Sequence, residues 1–157
     1  MKISLWSIGK PHEPYVKPGV EEFSSRLNRY FTTEWRIIAP PKLAASMSEE
    51  QLKKAEAVII LGMLSKEDQL VVLDEKGKML DSIQLANMIQ SSANESTRNM
   101  IFLIGGAFGV DHSLLQRAHF KWSLSALTFP HQLVRLVLAE QLYRACTILR
   151  NEKYHHR

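Results

Sequence analysis

A glycine-rich turn is the first segment whose residue types could do chemistry. Gly105-Gly106-Ala107-Phe108-Gly109 directly follows the apolar run 100–104. Glycine lets a ligand approach the backbone closely and tolerates positive φ. The spacing is GGxxG rather than the dinucleotide-binding GxGxxG, and no phosphate-loop lysine follows it. Taken alone, the turn favours a plain strand-to-helix connection over a ligand site.

A second candidate segment, residues 125–131, combines small and hydroxyl side chains with a proline. Pro130 suits the first position of a helix, because its missing N–H costs nothing there. The loop before it could form a pocket of backbone groups. The alternative is an ordinary helix start, in which the Thr128 hydroxyl satisfies free backbone amides. Both interpretations remain open on these residues alone.

The last helix of the chain carries a charged pair and is followed by an aromatic, basic tail. Glu140 and Arg144 are four residues apart and can pair on one helix face. For the pair alone, a structural salt bridge is the simpler explanation. The tail contains Tyr154 and two histidines, His155 and His156. Two adjacent histidines are too short a cluster to indicate a metal site, and the chain has no HExxH motif.

Hydrophobic patterning predicts the elements that must position these segments. Strands are predicted at 2–8, 35–39, 69–74, 100–104 and 120–124, and helices at about 20–31, 48–64, 82–90, 113–118 and 130–150. Ser48 and Gln51 have the spacing of a capping box. We expect Gly77 to turn the chain and Ser82 to cap the helix that follows.

Alternating strands and helices predict a single α/β domain with a largely parallel sheet and helices on both faces. Ligands of such sheets bind outside the carboxyl ends of the strands. Asp74, Gly105 and residues 125–130 are therefore expected at one edge of the sheet.

The last helix is apolar on two sides. One side carries His131, Arg135, Leu138, Leu142 and Ala145, and the other carries Leu133, Val137, Glu140, Arg144 and Ile148. A helix with two apolar faces is buried twice, against its own sheet and against something else. A partner subunit is one candidate for the second surface.

Composition and charge limit the function classes. The chain has 157 residues, about one domain's length. Its net charge of +4 lies entirely in residues 111–157, which suits either an RNA partner or a solvated basic tail. The single cysteine, Cys146, excludes an intramolecular disulfide and a Cys-based zinc site. No membrane span or signal peptide is found, so we expect a soluble, cytoplasmic protein.

Four segments together resemble one known family. They are Gly105-Gly106-Ala107-Phe108-Gly109, the run from Leu124 to Arg135, the run from Glu140 to Ala145, and Tyr154-His155. In this order they are similar to the ribosomal RNA large subunit methyltransferase H family of the SPOUT superfamily. The resemblance covers essentially the whole chain, including the Met1-Lys2-Ile3 opening.

This resemblance implies a fold, a reaction and an assembly. Residues 1–157 would form one SPOUT domain whose part from about 70 to 157 is tied in a deep trefoil knot. The family acts as a homodimer and transfers methyl from S-adenosylmethionine to N3 of a pseudouridine in 23S ribosomal RNA, on assembled ribosomes. No metal or membrane is implied. The matching cofactor-binding positions are Leu73, Gly105, Gly106, Leu124, Ser125, Ala126, Leu127, Thr128 and Phe129.

The target atom sets the chemistry that the resemblance implies. N3 of pseudouridine is an imide nitrogen that must lose its proton as the methyl group arrives, so the protein must align the attack and help remove the proton. The candidate catalytic residues are His131, Arg135, Glu140, Arg144, Tyr154 and His155.

Each candidate has a distinct possible role. His131, His155 and His156 titrate near neutral pH when free. Arg135 and Arg144 could stabilise the imide anion or grip phosphate. Tyr154 could stack on a base or donate to it. The family's tail is Tyr-His followed by a basic residue, whereas here His156 takes that place and Arg157 follows.

Two other function classes remain. One is a small-molecule α/β enzyme that binds a nucleotide at Gly105-Gly106, against which stands the missing phosphate-binding fingerprint. The other is a non-catalytic RNA-binding dimer on the ribosome, against which stands the intact loop at 124–130.

Overall fold

A computed structural model describes residues 1–156, so that Arg157 lies outside the described residues. The strands are β1 (Lys2–Ile8), β2 (Thr32–Ile38), β3 (Gln69–Met79), β4 (Asn99–Ile104) and β5 (Phe120–Ser123). The helices are α1 (Lys17–Leu27), α2 (Glu49–Met63), α3 (Ser82–Asn94), α4 (His112–Arg117) and α5 (His131–Leu149), and a short 3₁₀ turn spans Ala44–Ser46. The strands pair in parallel in the order β2-β1-β4-β3-β5. The predicted α/β fold is confirmed.

Helices cover both faces of this sheet. Successive side chains of a strand point to opposite faces, so Leu5 and Trp6 belong to two separate apolar clusters. The first cluster packs the sheet against α1, α3 and α5, and the second packs it against α2 and α4. Burial on both faces explains why the central strands have almost continuous apolar runs.

The carboxyl half of β3 departs from the sequence prediction. Gly77 does not turn the chain, because β3 continues to Met79. Trp122 of β5 pairs first with Leu73 and again with Lys78, so residues 74–77 form a bulge. A Cβ at Gly77 would lie 2.6 Å from the carbonyl carbon and oxygen of Lys121. Glycine is therefore needed here for the close approach of two strands.

The helix starts follow the capping rules, with two differences. The capping box of Ser48 and Gln51 is present as predicted. Helix α3 is capped by Asp81 rather than Ser82, because the Asp81 carboxylate accepts from the Gln84 N–H at 2.8 Å. Helix α5 has Pro130 at its N-cap and no side-chain cap. Thr128 therefore does not cap this helix.

Replacement of Gly77 by alanine should destabilise the β3–β5 pairing. The added methyl group meets backbone atoms, which cannot move as a flexible side chain can, so we expect a loss of about 1–3 kcal/mol in the free energy of unfolding. Urea denaturation measures it. Gly62→Ala is the matched control, since a Cβ there meets nothing within 4 Å. In helix α2 this change should stabilise by about 0.5–1 kcal/mol. Equal effects of the two changes would contradict the packing role of Gly77.

Candidate active site

A cavity opens at the carboxyl ends of β3, β4 and β5. Its walls are Leu73, Asp74, Glu75, Ile104, Trp122, Ser123, Leu124, Ser125, Leu127, Thr128, Phe129 and Val134. The sheet order places these strand ends side by side, which is why the bulge of β3 and the loop after β5 meet. Ala126 is exposed and lies outside these walls.

Two serines hold the loop after β5 in shape. The Ser123 hydroxyl donates to the carbonyl of Ser125 at 3.1 Å. The Ser125 hydroxyl accepts from the Leu127 N–H at 2.9 Å. These local bonds form a turn that replaces regular structure. The turn leaves Leu127, an apolar side chain, 72% exposed beside the cavity.

The glycine turn packs more tightly than the sequence indicates. A Cβ at Gly105 would lie 2.6 Å from Cγ1 of Val110, so its side-chain position points into the turn. A Cβ at Gly106 would lie 2.6 and 2.8 Å from the carboxyl oxygens of Glu56. Both glycines are buried and neither belongs to the cavity walls. Packing is thus one reason for glycine at both positions, whatever their backbones bind.

Glu56 is a residue that the sequence analysis missed. It lies on α2, where its neighbours Ala57 and Ile60 are also buried. Only 6% of Glu56 is exposed, and burial raises the pKa of its carboxyl. A lone glutamate in a helix gives no sequence signal for burial, because the glycine that makes room for it is fifty residues further along the chain.

Four of the predicted catalytic residues meet on α5 and the tail. Arg144 donates to Oε1 of Glu140 from Nη2 at 2.6 Å and from Nε at 3.1 Å. The Tyr154 hydroxyl donates to the same oxygen at 2.9 Å. The guanidinium lies 4.7 Å from the centre of the Tyr154 ring, and its Nη1 is 3.4 Å from Nδ1 of His155. We call these four residues the Glu140 cluster.

The Glu140 cluster holds an arginine and a phenol around one carboxylate oxygen. Burial and the bond to Glu140 raise the pKa of the Tyr154 phenol, which therefore keeps its proton at neutral pH. Glu140 fixes the Arg144 guanidinium through two bonds to one oxygen. The Nε2 atom of His155 is buried and has no hydrogen-bond partner within residues 1–156.

Arg135 lies apart from this cluster. It is 1% exposed, and its Nε donates to the Ser7 hydroxyl at 3.0 Å. Its Nη1 lies 3.3 Å from Nδ1 of His12 and 3.4 Å from Oε1 of Gln132. Burial lowers the pKa of this guanidinium. These contacts tie α5 to β1 and to the loop after it, so Arg135 is near His131 but not part of the Glu140 cluster.

His131 is the first residue of α5, two residues after Phe129 of the cavity wall. Burial and the nearby Arg135 lower the pKa of its imidazole. The ring is therefore neutral at pH 7 and can accept a proton.

The cavity and the Glu140 cluster are separated along α5. Val134 marks the cavity end of the helix. With a rise of 1.5 Å per residue, Glu140 lies about 9 Å and Arg144 about 15 Å further along the axis. One chain thus presents two separate parts of the predicted site.

Neither a metal-binding cluster nor a membrane-spanning helix is found among residues 1–156. Within residues 1–156, no three His, Cys, Asp or Glu side chains are grouped so as to hold a metal ion. None of the helices in that range has the length and apolar character needed to cross a membrane.

Comparison with known proteins identifies a family of similar sequences. The family model described as "Predicted SPOUT methyltransferase" matches residues 1–155. A protein of Cytophaga hutchinsonii named ribosomal RNA large subunit methyltransferase H is 45% identical over 99% of this chain and 100% of its own length. Proteins of the same name from Acetivibrio thermocellus, covering 99% of both chains, and Christiangramia forsetii, covering 100% of both, are 42% and 41% identical.

Two solved structures share the fold. A probable methyltransferase from Bordetella pertussis aligns with a TM-score of 0.57 at 13% identity, over 92% of this chain and 95% of that one. A probable methylase family protein from Haemophilus influenzae aligns with a TM-score of 0.55 at 12% identity, over 99% of this chain and 70% of that one. Taken with the full-length sequence matches, these findings show that the chain belongs to the SPOUT methyltransferase family and, within it, to the ribosomal RNA large subunit methyltransferase H proteins.

Proposed function

We propose that the protein transfers a methyl group from S-adenosylmethionine to N3 of a pseudouridine in large-subunit ribosomal RNA, on ribosomes in the cytoplasm. The observation that carries this proposal is the cavity at the carboxyl edge of the sheet, where α/β proteins bind ligands. Six of the nine positions expected to bind the cofactor are in its walls, namely Leu73, Leu124, Ser125, Leu127, Thr128 and Phe129.

The cavity residues fit this cofactor. Pockets for nucleosides are mostly apolar with a few placed polar groups. Leu73, Leu127 and Phe129 supply apolar surface, and the loop 124–129 supplies backbone groups. The indole N–H of Trp122, also in the wall, has no hydrogen-bond partner within residues 1–156. When bound, the sulfonium group supplies the methyl group and a good leaving group.

The protein's own side chains must then handle the proton and charge of the imide. In this proposal the neutral imidazole of His131, next to the cavity wall, accepts the proton from N3. The guanidinium of Arg144, held by Glu140, stabilises the negative charge that develops on the imide. The Tyr154 phenol is a donor or a stacking surface, because its raised pKa keeps it protonated.

In this proposal a homodimer brings the Glu140 cluster of one copy close to the cavity of the other. The cluster lies about 9–15 Å along α5 from its own cavity. The second face of the helix, with Leu133, Val137 and Ile148, is only partly covered within one chain. Two α5 helices packed antiparallel would bring each Glu140 cluster to the cavity of the other copy. All cavity walls come from residues 73–134, inside the part from about 70 onward that we propose to be knotted.

Loss of the Ser125 hydroxyl should weaken cofactor binding. In Ser125→Ala the Leu127 N–H loses its partner and the loop loses a bond worth about 0.5–1.5 kcal/mol. The dissociation constant for S-adenosylmethionine should then rise about 2- to 12-fold by calorimetry. Ser91→Ala on α3 is the control, since the exposed Ser91 hydroxyl makes no hydrogen bond within residues 1–156. Equal affinities of the Ser125 and Ser91 variants for S-adenosylmethionine would show that this loop is not part of the cofactor site.

The function itself is tested with methyl-labelled S-adenosylmethionine and ribosomes that lack the modification. We expect label in the large-subunit RNA. A non-catalytic ribosome-binding dimer would associate with the ribosomes and transfer nothing. A small-molecule enzyme would instead turn over the cofactor without ribosomes. Either result would overturn the proposal.

A further inference from the structure

A groove with three lysines runs beside the proposed cofactor cavity. Lys76 and Lys78 come from the bulged half of β3, and Lys121 comes from β5, the edge strand of the sheet. Asp74 lines both this groove and the cavity. The groove therefore begins where the cavity ends.

The groove has three lysines and one carboxylate, Asp74, so its net charge is positive. Lys76, Lys78 and Lys121 are exposed, and none forms an ion pair within residues 1–156. Other lysines of the chain do pair, as Lys2 does with Glu34 at 2.7 Å and Lys54 with Glu50 at 3.3 Å. The groove thus keeps positive charge on a concave surface, which attracts an anion.

Protection of a sheet edge explains only part of this arrangement. A lysine on an edge strand discourages pairing with another chain, and Lys121 on β5 fits that role. Lys76 lies in the bulge, where it is outside the paired part of β3. Its position beside Lys78 and Lys121 needs another reason.

His119 adds a fixed donor to the groove. Its Nδ1 accepts a hydrogen bond from the Leu70 N–H at 3.1 Å. The other ring nitrogen, Nε2, can then donate a hydrogen bond and has no partner within residues 1–156. Lysines and N–H donors are the groups that contact phosphate in complexes with nucleic acids, where they set position without reading sequence.

We propose that Lys76, Lys78 and Lys121 bind phosphates of the RNA strand that carries the target nucleotide. This inference rests on the proposed function, because it takes the substrate to be RNA. The RNA backbone lies along the open edge of β5, and the target base reaches over the bulge of residues 74–77 to the cavity. Contacts with phosphate alone leave the choice of base to the residues around the cavity.

The salt dependence of binding tests this proposal. Each lysine that neutralises a phosphate contributes about 0.7–0.9 to the slope of log affinity against log salt. The double variant Lys76→Gln/Lys121→Gln should thus bind unmodified ribosomes with a slope smaller by about 1.4–1.8. Between 50 and 200 mM salt, the unaltered protein should lose about tenfold more affinity than this variant.

The matched control removes two cations from the amino ends of the strands, away from the groove. Lys66 and Arg98 are exposed, form no ion pair within residues 1–156, and precede β3 and β4. Lys66→Gln/Arg98→Gln changes the net charge equally and should keep the original slope. The single variant Lys121→Gln is tested as well, in case the double variant unfolds. A slope that is smaller by about half as much in this variant supports the proposal.

Two outcomes would overturn the proposal. Equal slope changes in the groove and control variants would show that only net charge matters, and an unchanged slope in the groove variant would exclude phosphate contacts. Calorimetry with S-adenosylmethionine should give the same affinity for all variants. Because the slope is measured from binding, this test of the phosphate contacts does not depend on methyl transfer. Failure of the proposed function would appear separately, as an unaltered protein that transfers no methyl group.

Discussion

Removal of residues 154–157 should reduce the rate of methyl transfer to ribosomes by about 10²–10³-fold, the usual effect of losing one preorganised electrostatic group. The deletion takes away the Tyr154 hydroxyl, which donates to Glu140 at 2.9 Å, and the ring that covers the Arg144 guanidinium. It also removes His155, which lies beside the same guanidinium. The cavity walls are untouched, so affinity for S-adenosylmethionine should stay the same.

Single-turnover rates on the same ribosomes measure this effect. The Tyr154 ring packs against Tyr143 at 4.7 Å, so the deletion should also lower the free energy of unfolding by about 0.5–1.5 kcal/mol. Rates are therefore compared well below the unfolding temperature. Tyr154→Phe is the matched variant, because it keeps the ring and loses only the bond to Glu140; we expect an intermediate rate. Equal rates of truncated and full-length protein would exclude the tail from the site.

Mixed dimers should recover activity that neither parent variant has. Arg144→Ala keeps the cavity and loses the cationic centre of the Glu140 cluster. Thr128→Trp keeps the cluster and fills the cavity from its wall. We assume that each site uses the cavity of one copy and the Glu140 cluster of the other. When the two variants are mixed at random, half of the dimers contain one copy of each variant. Each of these mixed dimers has one intact site and one defective site. Activity should return to about a quarter of that of the unaltered protein.

A second mixture tests whether mixing two variants raises activity merely by stabilising the subunits. Arg144→Ala combined with the truncated chain brings together two cluster defects, so no pairing of subunits restores a complete site. We expect no recovery in this mixture. Light scattering should first show about twice 18.0 kDa for each variant. A dimer in which Arg144→Ala and Thr128→Trp fail to complement each other would place the cavity and the cluster of one chain in one site.

The fold could be predicted from local patterns because its signals lie close together in the sequence. The alternation of apolar strands and helices indicated the parallel sheet, and Ser48 with Gln51 indicated the start of α2. The start of α3 lies one residue before the predicted one, because Asp81 and Ser82 are both good caps and only the geometry decides between them. The predicted turn at Gly77 is wrong, because this glycine is required by the backbone of Lys121, on a strand more than forty residues away.

The candidate site could be predicted only in part for the same reason. The rule that ligands bind at the carboxyl ends of strands, together with the family resemblance, indicated the segments that line the cavity. No local pattern shows that Arg135 is buried against Ser7 and His12, which lie more than 120 residues earlier. The burial of Glu56 beside Gly106 is equally invisible in the sequence. Long-range packing decides which charged residues face solvent and which do not.

Mapping of the methylated atom decides whether the protein methylates N3 of a pseudouridine. Ribosomes lacking the modification are incubated with the protein and methyl-labelled S-adenosylmethionine, and the large-subunit RNA is digested to nucleosides and analysed by mass spectrometry. We expect one labelled nucleoside, a pseudouridine methylated at N3, from a single position of the large-subunit RNA. Label on another atom, on another nucleoside or in the small-subunit RNA would contradict this expectation.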